Sequence, residues 1–183
     1  MSAYLSTASL LIYPQSLEWS DSKSNLIDQL RALGLAGDAI ETGSYFAGER
    51  FLDHIAFMGC APSIRFAPEA DNEKFTHLRI RRYDAITALI GAHAPAPGCP
   101  QCKKSFVYSD TQLKRLDNNS RWTCTYCQHA AAPWQYHWRK NAGFARVFIE
   151  ITDIYPKEAI PQTSLLEDLH HCSDTEWQYC YLF

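Results

Sequence analysis

The chain has 183 residues, 46% hydrophobic and 13% aromatic, which is enough to bury a core and excludes a disordered chain. That length suits one ordinary domain, or one domain carrying a small module. The net charge of −3 hides an uneven distribution: residues 99–146 hold eight Lys/Arg against Asp110 and Asp117, so a +6 segment sits in a chain whose remainder is −9.

Residues 10–13, Leu-Leu-Ile-Tyr, closed by Pro14, read as a first strand. Over 22–33, Leu26, Leu30 and Leu33 fall one turn apart with Ile27 beside them, which predicts an amphipathic helix stopped by Gly34. A second, shorter helix is expected over 49–58, where Phe51, Ile55 and Met58 share a face. Residues 63–67 and 75–82 read as strands, the latter alternating Leu78 and Ile80 with Arg79 and Arg81, whereas 84–91 fit helix or strand equally. Pro95, Pro97 and Gly98 break any regular element and mark a boundary.

Beyond that boundary, Ser109 to Leu116 predicts a capped helical turn or two, and 144–151 a strong strand. Ser164-Leu165-Leu166-Glu167 fits a capping box opening a short helix to about His171, and 176–183 reads as a terminal strand. Strand, helix and strand after residue 143 are too little to fold alone. They are expected to complete a sheet begun by the N-terminal half. The expectation is an α+β protein with a small mixed sheet and two to three helices. Residues 1–91 and 143–183 form a discontinuous body, and 92–142 form a linker and an inserted module.

Seven cysteines are present, four of them in two tight pairs, Cys99-Pro100-Gln101-Cys102 and Cys124-Thr125-Tyr126-Cys127. Residues 1–13 have neither a basic start nor an apolar stretch long enough for a signal peptide, and no run approaches a membrane span. This predicts a cytoplasmic protein with no membrane partner. In such a compartment paired cysteines favour metal over disulfides. A Cys-x-x-Cys turn aims two sulfurs at one point, Pro100 fixes φ inside the first turn, and Gly98 allows a close approach. The segments 98–104 and 122–127 resemble the zinc-ribbon superfamily over about a quarter of the chain. The resemblance implies one structural Zn2+ held by Cys99, Cys102, Cys124 and Cys127, closed to water and therefore not catalytic.

Three rivals stand beside that reading: a redox dithiol, rubredoxin-type iron on the same turns, and replacement of a cysteine by His129 or His137. Cys60 reads as a buried small residue or a reactive thiol. His170-His171-Cys172 reads as a solvated helix end or a second metal site. The chain carries no phosphate-binding glycine loop, no nucleophile elbow and no zinc-protease or deaminase signature, so a non-enzymatic protein is favoured over an enzyme with a dispersed site in the body.

The basic module suggests what it binds. Lys103, Lys104, Lys114, Arg115, Arg121, Arg139 and Lys140, with Trp134, are the candidate partner-binding residues. Cations neutralise phosphates, and rings such as Phe106, Tyr108, Trp122, Tyr126, Tyr136 and Trp138 could stack on bases, which favours a nucleic-acid partner. The alternative is a protein-interaction adaptor docking on an acidic or apolar surface, with Trp and Arg as anchors.

Overall fold

In the computed structural model, residues 8–21, 25–58, 64–68, 74–114 and 116–183 are described. The expectations for Cys60, for Arg115 and for the start of the strand at 63 fall outside them.

The protein is α+β. Strand β1 (Ala8–Pro14) leads to helix α1 (Leu26–Ala32) and a hairpin of β2 (Ala36–Glu41) and β3 (Ser44–Ala47). One turn of helix, α2 (Phe51–His54), and a short strand, β4 (Ile55–Phe57), precede the long strand β5 (Leu78–Ile90). The cysteine segment follows, with helical turn α3 (Asp110–Leu113) and the small strands β6 (Trp122–Thr123) and β7 (Ala130–Ala131). Then come β8 (Ala142–Ile154), β9 (Ala159–Pro161), helix α4 (Thr163–Ser173) and β10 (Trp177–Leu182).

The main sheet has the order β10-β1-β8-β5-β3-β2, antiparallel at every pairing rather than mixed. Its four principal strands with α1 and α4 run β-α-β-β-α-β in space as fourth, first, third, second. This is the split β-α-β topology with the β2–β3 hairpin added at one edge. The register lines up Tyr181, Leu10, Ile151 and Leu78 across one face. Leu26 and Leu30 of α1 and Leu165 and Leu169 of α4 bury against that face. The central strands β1 and β8 are buried on both sides, which is why each reads as a nearly continuous apolar run.

The opposite face carries Leu11, Tyr13, Phe148 and Cys180, and it is buried without a covering helix. The cover is the sheet itself. Between Arg82 and Thr87 the β5–β8 register shifts, and the far end of this hairpin folds back over the face. Gly143 is the contact point: a Cβ there would lie 2.9 Å from the Tyr13 ring, 3.0 Å from the Phe148 ring and 3.2 Å from the Cys180 sulfur. The hairpin end then bonds to β10: Tyr181 N–H donates to Lys140 O at 2.9 Å, and His93 N–H to Phe183 O at 3.0 Å. On the same face the carboxylate of Glu150, 3% exposed, accepts from Arg81 Nε at 2.7 Å and Nη2 at 3.0 Å. A buried carboxylate requires such a bidentate partner.

Several local expectations change. The helix over 49–58 is one turn only, because Ile55 turns extended and pairs with Pro161 of β9, a partner invisible locally. Met58, expected on its buried face, is 63% exposed. Helix α1 ends as expected at Gly34, whose φ of +74° supplies the left-handed stop. Residues 64–65 are irregular and 66–67 form a bend, so no strand forms there, and 84–90 continue β5. Helix α4 starts at Thr163 with Gln162 as its N-cap residue, so the expected box at Ser164 does not form. No helix among the described residues is long and apolar enough to cross a membrane.

Gly143→Ala is expected to destabilise the protein by about 1–3 kcal/mol, because the added methyl must displace two rings and a sulfur. Urea unfolding of the pure variant measures it; wild-type stability would show that the hairpin end does not sit on this face.

Candidate metal centre

The four paired cysteines come together. Their sulfurs all lie within 4.8 Å of one another, with 3.7 Å between Cys99 and Cys127 and the same between Cys102 and Cys124. All four are free thiols. Cys99 and Cys124 are fully buried, Cys102 is half-buried and Cys127 is exposed. Such a group could hold a metal ion.

Both turns have one backbone design. In the first, Lys103 N–H donates to Cys99 O at 3.0 Å, and Cys99 N–H donates to Lys104 O at 2.9 Å. In the second, Gln128 N–H donates to Cys124 O at 2.9 Å, and Cys124 N–H donates to His129 O at 2.9 Å. The residue after each second cysteine is left-handed, Lys103 at φ 64° and Gln128 at φ 60°. These backbone bonds and the two left-handed residues bring each chain back so that the amides face the sulfurs. The amides of Cys127 and Tyr126 donate to the Cys124 sulfur and hold its thiol down at about 6. The His129 amide pulls Cys127 the same way but is outweighed by desolvation and the three neighbouring sulfurs, which push that thiol up to about 12. One thiolate is thus favoured and its accumulation resisted, a charge state that a cation relieves.

The centre rests on an aromatic floor. Phe106 stacks on Trp122 at 5.3 Å between centroids, and Tyr108 stacks on Trp122 at 5.5 Å. Trp138 meets Phe144 of β8 at 5.4 Å. Tyr136 donates its hydroxyl to Trp122 O at 3.1 Å; desolvation and the four sulfurs push its phenol up to about 12. Cys99, Cys124 and these rings share one apolar cluster with Ile86, Ala142 and Phe144 of the long hairpin. Ile90 pairs with Ala142, and Gly91 N–H donates to Asn141 O at 3.1 Å, so the chain leaves and re-enters the sheet at one place. In the excursion the expected capped helical turn is present as α3, with Ser109 as its N-cap residue and Ser109 N–H donating to Gln112 Oε1 at 2.9 Å.

Of the rings expected to be free for stacking, Phe106, Trp122, Tyr136 and Trp138 are buried in this cluster, and Tyr108 and Trp134 pack against it. Sequence reasoning had no signal for which side of a ribbon strand an aromatic residue faces. Tyr126 alone is well exposed, at 62%, with Lys104 Nζ 4.6 Å above its ring. The cations are exposed. Lys103 and Lys104 flank the first turn, Lys114 ends α3, and Arg121 Nη1 donates to Asn118 O and Ser120 O at 3.1 and 2.9 Å. Arg139 and Lys140 lie at the return to the sheet.

Neither His129 nor His137 joins the sulfur group; His137 Nε2 is 2.7 Å from Lys103 Nζ. The sequence His170-His171-Cys172 makes no second group among the described residues. Cys180 is sealed under the hairpin end, where burial pushes its thiol up and leaves it inert. No protein-family model, no curated protein and no solved structure matches the chain.

Gln128→Gly is expected to stabilise the protein by about 0.5–1 kcal/mol, because glycine meets the left-handed geometry without a Cβ penalty. Thermal unfolding of the metal-bound protein reads it; a loss of stability would show that the second turn does not adopt this backbone.

Proposed function

We propose that this is a non-enzymatic, cytoplasmic zinc-ribbon protein whose four cysteines Cys99, Cys102, Cys124 and Cys127 hold one structural zinc ion. The sulfur spacing carries the reading. A tetrahedron of thiolates about 2.3 Å from zinc has edges of about 3.8 Å; two of the sulfur pairs stand at 3.7 Å and all four sulfurs lie within 4.8 Å of one another. The residues present therefore fit the ion. Four thiolates leave no position for water, so the metal would supply stability and not a nucleophile. Iron would fit the same turns; a colourless protein with one equivalent of zinc excludes it.

The inserted unit is proposed to span 92–142, with 1–91 and 143–183 as the body. Because the ribbon shares its apolar cluster with Ile86 and Phe144, metal binding is expected to stabilise the body as well. Cys99→Ser or Cys124→Ser should lose the zinc and lower the midpoint of a single cooperative melt by at least about 10 °C. A variant that keeps its zinc and its melting temperature sinks the assignment. A variant with an unchanged second transition for the body sinks the shared core.

Metal uptake displaces thiol protons, so apparent affinity rises with pH. The Cys124 thiol, lowered to about 6, contributes to metal-free stability above its unfolded value, and that contribution is lost as pH falls through about 6. Below that point zinc must also displace this proton, so log affinity against pH should steepen by about one unit. A chelator competition series from pH 5 to 8 tests the slope, and a uniform slope would contradict it.

For the partner, the burial of the rings favours a protein with an acidic surface over a nucleic acid. Stacking along a strand needs several exposed rings, whereas outside the cleft lined by Trp134 the segment offers Tyr126, with cations at several positions. A gel shift with duplex DNA and single-stranded RNA decides: no complex is expected at about 150 mM salt. A complex that survives, with a steep salt slope, would restore the nucleic-acid reading.

A further inference from the structure

Where the ribbon returns to the sheet lies a cleft of about 610 Å³ that the metal centre does not use. Its walls are rings from three parts of the chain: Tyr13 of β1, Trp134 and Trp138 of the ribbon, Phe144 of β8, and Trp177 and Tyr179 of β10. That volume is in the range of small-molecule sites, about 300–1,000 Å³. At the rim stand Arg139 and Lys140, with the amide side chains of Gln15 and Gln178 also in the lining. Among the described residues no carboxylate lines it, although the chain as a whole is acidic.

The two cations are held at a conformational cost. Arg139 has φ 53° and Lys140 φ 60°, and Asn141 N–H donates to Trp138 O at 3.0 Å. Both central residues of this turn are left-handed, the geometry that Asn-Gly fills without strain. A side chain there costs roughly 1–2 kcal/mol per residue. The turn is nevertheless braced from two sides. Asn141 Nδ2 donates to Trp138 O at 2.9 Å and to Arg139 O at 3.0 Å, while β10 bonds to Lys140 O. Asn141 Oδ1 is buried with no hydrogen-bond partner. Lys140 Nζ lies 3.7 Å over the Tyr179 ring, and neither cation forms an ion pair among the described residues. Strain persists where the surroundings over-determine it, and it gathers at ligand clamps.

We propose that this cleft binds a flat aromatic anion, its ring among the indoles and its carboxylate or phosphate on the Arg139–Lys140 turn. The guanidinium fork matches either oxyanion, and the offset rings of the walls suit an aromatic guest. The proposal does not depend on the identity of the metal or of a macromolecular partner.

The test uses the full-length, metal-bound protein and two probes with one aromatic frame: 8-anilinonaphthalene-1-sulfonate and the neutral N-phenyl-1-naphthylamine. The wild type should bind the sulfonate roughly ten-fold tighter or more, the worth of a good charge-assisted contact. The double substitution Arg139→Asn with Lys140→Gly removes both charges and relieves the turn. It should raise the melting temperature while abolishing the preference for the sulfonate. Trp134→Ala should weaken both probes alike. Displacement of the sulfonate by benzoate or by phenyl phosphate then separates a carboxylate from a phosphate ligand. Equal affinity of the two probes for the wild type, or a double variant that keeps the preference, overturns the proposal. Should the double variant fold poorly, Arg139→Gln and Lys140→Gln singly are each expected to reduce the preference, and no reduction in either overturns it equally.

Discussion

The hairpin formed by β5 and β8 sets the geometry of everything else. Its near half is the middle of the sheet, pairing Leu78 with Ile151 and Arg82 with Val147. Its far half, from Thr87 opposite Ala145 to Ile90 opposite Ala142, has folded away over the sheet's uncovered face. The change of direction needs the register shift between them and a residue without a side chain at 143. Had the hairpin stayed flat, Leu11, Phe148 and Cys180 would face water and the ribbon would project from the edge. Folded over, the same strands seal that face and set the ribbon against the sheet.

The fold-over explains why the cysteine segment needs so many rings. Its own strands are two residues long and enclose little volume, so a core must be borrowed or built from large side chains. Trp122, Tyr136 and Trp138 build one, and Ile86 and Phe144 lend it continuity with the sheet. The sulfur group closes the opposite end of the same cluster, since Cys99 and Cys124 are as buried as the rings. The sulfur group and the aromatic core are therefore parts of one cluster.

How legible this was depends on where each property resides. The metal group was legible because thiol chemistry and spacing are carried by residue identity. The strands β1 and β8, the first half of β5 and helix α1 were legible from local apolar pattern. The β2–β3 hairpin was not, because Ala36–Glu41 is an edge strand with one buried residue and almost no pattern to read. The turn from α2 into β4 depends on β9, far along the chain, and no local window contains it. The folded face was invisible for the same reason: Gly143 reads as a linker residue until Tyr13 and Phe148 are placed beneath it. The left-handed residues were hidden most completely. Lys103, Gln128, Arg139 and Lys140 all occupy geometry where glycine or asparagine is the usual signal.

The charge asymmetry takes its meaning from that accounting. A +6 segment in a −9 remainder suggests attraction between the two, yet among the described residues no ion pair joins them. The body's own cations serve its own acids, as Arg81 does Glu150. Hydrogen bonds from Asn118 to Glu18 and from the Tyr181 amide to Lys140 O tie the segment to the rest of the chain, and the apolar cluster completes the contact. Attachment is thus insensitive to salt, whereas the ribbon's outward charge is not neutralised internally. With most of the rings taken into the core, that charge is the larger part of what the segment presents outward. Cation and aromatic surface are offered together where Lys104 lies over Tyr126 and at the cleft beside Arg139 and Lys140.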